Sequence, residues 1–535
     1  MIGVQRVLLS PMSPDCVRSA IERGAFNRFM AVNQVKAGVV LNYAVIGLNA
    51  LVGLLYTPYM LRMMGQSEYG LYSLAASVIA YLTIMDFGFG NAIVRYTAKF
   101  RAEGKTEEQY SMFGMFTILY CVIGFIAFVG GAVVCYNAEH LFGGSMTMLE
   151  IERARVILAI MVFNLAVSFP LGVYGFIVTA YERFVFQKTL NIVRILLNTA
   201  VMICLLHFGY KAVAMVVVQT VFNLLTFFIN WIYCRRKIKI RVNYGSFRWG
   251  FLKEVAIYSF WIFLNAIMDK IYWSTGQFVL GVVVGTTAVA IFAVAIHLQN
   301  IYMSLSVAVT GVFLPKVSAM IAQHSSTQEI SDLFIRVGRV QYAVMAFILS
   351  GFLVFGRPFI ILWAGEEYSQ TYEITLLFFV GLIVPLVQNM GIIILQARNQ
   401  MKFRSVVYII IAAISFIGQI FLSKIYGAIG CAISIVVALI IGQGVVMNIY
   451  YYCKQDIDIP RFWREIAKMS IVPIVVVVAG LWVTTFYSIT TIANFVTGVV
   501  IFSLIYLPLF WRFSLSSNER DLIRTPFVML LKRCF

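Results

Sequence analysis

Charge is scarce in this chain. Of its 535 residues only 12% are Asp, Glu, Lys or Arg, against 61% hydrophobic residues and a mean hydropathy of +0.89. A water-soluble fold could not hide so much apolar surface, and its exposed face would be a set of sticky patches. Cysteine is equally sparse. Cys16, Cys121, Cys135, Cys204, Cys234, Cys431, Cys453 and Cys534 mostly sit in or beside apolar runs. They show neither a disulfide framework nor zinc-ligand spacing and read as small apolar filler. No Walker A, Gly-x-Ser-x-Gly or His-Glu-x-x-His pattern occurs, so nucleotide hydrolysis and hydrolase chemistry have no support. The polar segment 1–35, with Arg6, Arg18, Arg23 and Arg28, lacks an apolar stretch followed by a small-residue cleavage site. It is expected to be a cytoplasmic tail rather than a signal peptide, or to precede a true start at Met30.

Apolar runs of helix-spanning length are abundant. In hydrocarbon only helices and closed barrels satisfy their own backbone, and barrel strands alternate in polarity over roughly 10 residues. The runs here are about 20 residues or more, the length of a membrane-crossing helix. The expected fold is an all-α membrane protein with about fourteen transmembrane helices. They fall near 38–63, 69–97, 110–136, 155–181, 184–208, 211–234, 254–281, 286–313, 334–356, 370–396, 403–424, 427–452, 465–487 and 490–512.

Basic residues cluster in every second loop: Arg95 to Lys105, Arg235 to Lys253, Lys316 to Arg339, Arg398 to Arg404, Lys454 to Lys468, and the tail from Arg512. The intervening loops hold only Arg62, Arg153, Arg155, Lys211, Arg357 and Lys424. By the positive-inside rule both termini are cytoplasmic. The net charge of +18 is therefore mostly orientation, with contact to anionic headgroups as a second consequence, and no nucleic-acid partner is implied.

An internal repeat is legible. Met64-Gly-Gln-Ser-Glu-Tyr-Gly-Leu-Tyr-Ser-Leu-Ala75 aligns without gaps on Val284-Gly-Thr-Thr-Ala-Val-Ala-Ile-Phe-Ala-Val-Ala295, and Phe169-Pro-Leu171 echoes Val384-Pro-Leu386. The expected organisation is two pseudo-symmetric six-helix lobes, 36–245 and 246–458. Two further helices and a tail occupy 459–535. The same alignment pairs Asn49 with Asp269, each roughly 18–20 Å from its cytoplasmic end at 1.5 Å per residue.

Ionisable groups inside spans are costly, at about 2.5–3.5 kcal/mol on insertion scales, and so are functional candidates. The fifth span places Asn191, Arg194 and Asn198 on one face, and the first places Asn42, Asn49 and Tyr56. The seventh carries Trp261, Asn265 and Asp269 in a polar-aromatic stripe, with Lys270 beside it. Asn223, His297 and Asn300 lie in the sixth and eighth spans, and Asp86, Asn91 and Arg95 flank a glycine-weakened point in the second. Amides and aromatic rings suit a sugar, and Arg or Lys suits a phosphate. The competing role for any one amide is interhelical glue. No cofactor is expected, and Asp86 or Asp269 are the groups for coupling to a proton or sodium gradient.

The run Leu55-Tyr-Thr-Pro-Tyr-Met-Leu-Arg-Met-Met-Gly-Gln-Ser-Glu-Tyr-Gly-Leu-Tyr-Ser-Leu74 resembles the opening of Wzx-type polysaccharide-biosynthesis flippases. So does Asp86-Phe-Gly-Phe-Gly-Asn-Ala-Ile-Val-Arg-Tyr96. The resemblance runs over roughly residues 36–515 and places the chain near the multidrug/oligosaccharidyl-lipid/polysaccharide exporter superfamily. It implies two lobes around a central cavity, alternating access, and an oligosaccharide on a polyprenyl diphosphate carrier turned from the cytoplasmic to the outer leaflet of a bacterial inner membrane. Membrane lipids and polysaccharide-assembly proteins are the implied partners. A lipid II flippase and a cation-coupled multidrug exporter are alternatives within the superfamily. A membrane glycosyltransferase or polymerase is the alternative outside it, but the sole Asp-x-Asp, Asp456-Ile-Asp458, falls in a basic loop and reads as a solvated linker.

Overall fold

The computed structural model describes residues 14–245, 249–310, 313–398, 400–487, 489–516 and 519–520. Of residues 14–33, 35–36, 39, 257–258, 261–262, 265–266, 269, 308 and 315 it describes the backbone alone. Among the described residues there is no strand. The chain runs as α1 (Pro14–Met64), α2 (Gln66–Leu82), α3 (Phe89–Ala102), α4 (Thr106–Tyr136), α5 (Ala138–Phe142), α6 (Met148–Ala180), α7 (Phe184–His207) and α8 (Ala212–Tyr233). It continues as α9 (Trp249–Val283), α10 (Thr286–Thr310), α11 (Leu314–Ala322), α12 (Thr327–Trp363), α13 (Thr371–Val387), α14 (Asn389–Ala397), α15 (Met401–Leu439), α16 (Met447–Gln455), α17 (Ile459–Phe486) and α18 (Ile492–Phe513). Polar side chains start the long helices. Thr147 and Glu150 form a reciprocal capping box at α6, and Ser326, Asp458 and Thr491 cap α12, α17 and α18.

Twelve segments among the described residues are long and apolar enough to cross a membrane. One of them, Met401–Gln455, is an antiparallel hairpin. Gly427 takes φ 57° and ψ −134° and reverses the chain. The Ser434 hydroxyl then donates to the Ser415 carbonyl at 2.8 Å. The 35-residue α9 stands outside those twelve. Fourteen spans were expected, so the difference lies at one merged hairpin and one helix with incompletely described side chains.

The weak point expected within the second span is real. A 3-10 turn, Thr83–Asp86, ends with Phe87 and Gly88 at φ 51° and 73°, and α3 starts anew. The repeat also has a backbone counterpart. Gly65 and Gly285 hold equivalent positions before α2 and α10, both with positive φ (79° and 121°), where a side chain would be strained.

Buried side chains form three clusters. One draws on Leu61, Leu74, Leu158, Leu206, Leu280, Phe292, Ile360, Phe378 and Ile435, from both halves of the chain near the bare loops. A second, with Phe113, Phe116 and Ile177, lies mostly in the first half near the basic loops and takes in Val255 at the start of α9. The third, with Phe334, Met390, Leu395 and Phe462, belongs to the second half, also near the basic loops. The chain is thus joined broadly at its bare end, while near its basic end the start of α9 crosses to α3, where Tyr96 donates to Glu254 at 2.9 Å and packs edge-on against Phe251.

A polar cleft clamped at the bare end

Two contacts set the register of α1 on α7. Lys188 donates to Asn42 Oδ1 at 2.7 Å, and the Tyr59 hydroxyl to the Ile203 carbonyl at 3.5 Å. The helices run parallel, so Asn49 lies level with Arg194. Lys188, Asn191, Arg194 and Asn198 follow at helical spacing on α7. Lys188 was missed by the sequence reading, although the spacing that found its neighbours reaches it. Arg194 is half-buried and makes no ion pair or hydrogen bond with another described residue. Its position, about 15 Å from the start of α7, is too deep to reach the interface easily. Asn198 Oδ1 is buried without a partner among the described residues, as is the Tyr56 hydroxyl. Asn191 is half-buried.

The same side of α1 meets the other half of the chain. His297 lies against Gly53, where an added Cβ would stand 2.9 Å from Nε2. The Trp363 indole donates to the Leu54 carbonyl at 2.7 Å. Below these contacts, toward the basic end, Asn49 on α1 and Asn300 on α10 are both exposed. Asn49 spends its amide on its own helix, donating to Val45 at 3.0 Å. Lys270 on α9 is half-buried and has no carboxylate partner among the described residues. Trp261, Asn265 and Asp269 are placed only by the backbone of α9, and their side chains lie outside the described residues.

Other candidates do structural work. Asn223 donates to Asn164 Oδ1 at 2.8 Å and Ser168 Oγ at 3.1 Å, joining α8 to α6. Asp86 accepts from the Tyr120 hydroxyl at 2.5 Å and is met by the amides of Gly88 and Gly90, which caps the start of α3. Asn91 is exposed, and Arg95 lies 5.8 Å from the Tyr96 ring at the basic end.

The bare end is clamped across the halves. Glu150 Oε1 accepts from Ser67 at 2.6 Å and from Thr286 at 2.8 Å. Ser145 donates to the Gly281 carbonyl at 2.6 Å, Arg62 to that of Leu362 at 2.6 Å, and Gln66 to that of Glu367 at 2.6 Å. Glu68 pairs with Arg153 beside them. No cluster of metal-ligating side chains exists among the described residues.

Comparison with known proteins agrees with this architecture. A curated relative, the uncharacterized membrane protein EpsK of Bacillus subtilis (strain 168), is 19% identical over 408 residues, covering 74% of this chain and 78% of that protein. Among solved structures, the lipid II flippase MurJ in an inward closed conformation superposes with a TM-score of 0.68 at 16% identity, covering 89% of this chain and 98% of that one. An inward-facing multidrug resistance MATE family transporter of the MOP superfamily superposes with a TM-score of 0.56 at 15% identity, covering 73% and 96%. At such identities the likeness establishes the fold: this is a multi-pass helical membrane protein of the MOP type. Residues 35–321, more than half of the chain, match the family described as polysaccharide biosynthesis protein, and the chain belongs to that family.

Proposed function

We propose that this protein is a flippase that turns a polyprenyl-diphosphate-linked oligosaccharide from the cytoplasmic to the outer leaflet by alternating access. On this reading two lobes, 36–245 and 246–458, rock about the cleft, with 459–535 added. The bilayer is a bacterial inner membrane with both termini cytoplasmic, and the chain makes fourteen crossings.

The observation that carries the reading is the patch of Lys188, Arg194 and Asn42 on α7 and α1. It offers Arg194, which has no ion pair among the described residues, and Lys188, held by Asn42, beside amides and below a contact that closes the bare end. Guanidinium and ammonium groups suit a diphosphate, and amides suit sugar hydroxyls. A cation-coupled exporter of apolar drugs would gain little from that lining. A lipid tail also has a place to lie. Between α17 and α18, backed by α12, an apolar groove of about 600 Å³ is lined by Val476, Val483, Ile501 and Leu509 among others. Basic groups on the loaded side and a closed far side describe a receiving state, and cargo binding would shift the population toward the opposite one.

The test is reconstitution in proteoliposomes with a lipid-linked glycan, scoring its exposure on the far leaflet. Wild type is expected to accelerate exposure. Arg194→Gln and Lys188→Gln are expected to slow it at least tenfold at equal protein per vesicle. Normal rates in both variants would overturn the cleft assignment. Transport of lipid II alone would move the reading to that cargo.

A further inference from the structure

A second polar site lies outside the cleft. Three irregularities of helical backbone converge in the second half of the chain. Pro385 removes a backbone donor from α13, which ends at Val387 before Gln388 (φ −103°, ψ 11°) and restarts as α14. The stretch Ile440–Val446 between α15 and α16 is a π-helix. Such widened turns are rare and gather at functional sites. α15 begins at Met401, one turn before Arg404. In hydrocarbon, broken backbone is tolerated only where protein or a cavity receives it.

A cavity does receive it. Its volume is about 90 Å³, and Gln388, Asn389, Arg404 and Gln443 line it together with Trp273 and Tyr408. Gln388 is satisfied by a reciprocal amide pair with Asn448, at 2.7 and 3.2 Å. Asn389 donates to Thr310 at 3.2 Å. Two donors remain. Gln443, only 7% exposed, has a buried amide nitrogen and Arg404 a buried Nε, neither with a partner among the described residues. The Arg404 guanidinium stacks 5.1 Å from the Tyr408 ring, which orients it without using its N–H groups. No carboxylate lines the cavity among the described residues. An unmatched buried donor costs about 1–3 kcal/mol, and more when charged, so two in one cavity call for an acceptor.

We infer that this cavity binds a small inorganic oxyanion of the phosphate class. Its volume is that of about three waters, enough for one tetrahedral anion and too little for a sugar or a drug-sized molecule. Arg supplies a fork of donors matched to phosphate oxygens, and the Gln443 amide completes the cradle from the opposite helix. The bound anion ties the start of α15 to the π-helix between α15 and α16. The site stands apart from the α1–α7 patch and does not depend on the transport reading.

The experiment is calorimetric titration of the purified full chain, in nanodiscs of neutral lipid, with sodium phosphate, and with sodium chloride as the control for ionic strength. Saturable binding of one phosphate per chain is expected, with a rise in thermal unfolding temperature. Arg404→Gln and Gln443→Leu should each weaken it at least tenfold, Arg404→Lys less, and Lys424→Gln, exposed in a bare loop, not at all. Size-exclusion profiles check that each variant is folded. Phosphate binding that survives Arg404→Gln, or no binding by the wild type, overturns the proposal. So does occupancy only by a phosphatidate added to the nanodisc. Binding that appears only in Asp269→Asn would show the cation already matched by that carboxylate and overturn it equally.

Discussion

An arginine inside a bilayer persists only where something other than hydrocarbon meets it. Arg194 has neither carboxylate nor carbonyl partner among the described residues, so its cost is offset by water or cargo in the cleft. Asn223 is the opposite case. Among the described residues both of its hydrogen bonds go to α6, so it acts as glue. Asn223→Leu is expected to destabilise the protein by about 0.6–1.7 kcal/mol and leave transport per folded molecule unchanged. Arg194→Gln is expected to do the reverse, and thermal unfolding run beside the vesicle assay separates the two. A third residue sets acid stability. Burial pushes the Glu519 carboxyl up, but Arg339, which donates to both its oxygens at 2.6 and 2.8 Å, and the Ser516 amide hold it below the usual range. A carboxyl depressed in the folded state contributes stability above its ordinary value and loses that contribution as pH falls through the folded one. Protease resistance of the segment after α18 should therefore decline at acid pH in the wild type. In Glu519→Gln it should be low already at neutral pH and nearly flat below it.

At the scale of elements, hydropathy and charge alternation locate the helices because the bilayer is a uniform solvent that demands apolar length. Glycine marks the breaks that need positive φ, so the interruption at Gly88 and the paired turns at Gly65 and Gly285 could be read in advance. Other features had no local signal. The run Ile440-Ile-Gly-Gln-Gly-Val-Val446 gives no warning of a π-helix, because that widening answers to neighbours across the bundle. Spacing put Asn191 and Asn223 on helix faces, but which face meets cleft and which meets helix depends on partners far away in sequence. The hairpin turn at Gly427 offers the sharpest test at this scale. Its ψ of −134° at positive φ belongs to a region that only glycine enters easily. Gly427→Ala is expected to cost about 1–3 kcal/mol, read as a lowered unfolding temperature. The neighbouring Gly430→Ala should be at least as costly, since its Cβ would stand 2.0 Å from the Leu422 carbonyl oxygen. Wild-type stability in both would show that the hairpin has slack.

For the whole molecule, a broad shared core at the bare end faces two cores at the basic end, where the start of α9 is the contact between halves. Opening the far side means breaking the clamp at Glu150 and burying new surface at the basic end around α9, an exchange between two packings rather than a gradual deformation. The clamp is polar, with Ser67 and Thr286 converging on a single carboxylate oxygen. Polar contacts of that kind can be traded for water at little net cost, each worth about 0.5–1.5 kcal/mol. An apolar seal there would make the closed state too deep to leave. Ser67→Cys with Thr286→Cys, in a background where the exposed Cys121, Cys204 and Cys453 and the half-buried Cys135 are replaced, puts two thiols where those hydroxyls now meet. A short bis-thiosulfonate, from which each thiolate displaces a sulfinate to form a disulfide, should then join the halves, stop lipid-linked glycan from reaching the far leaflet, and release it when the disulfides are reduced. Either single cysteine should transport normally with the same reagent. Continued transport by the fully linked protein would show that cargo leaves by a route that does not part α2 from α10, and alternating access by opening this clamp would have to be abandoned.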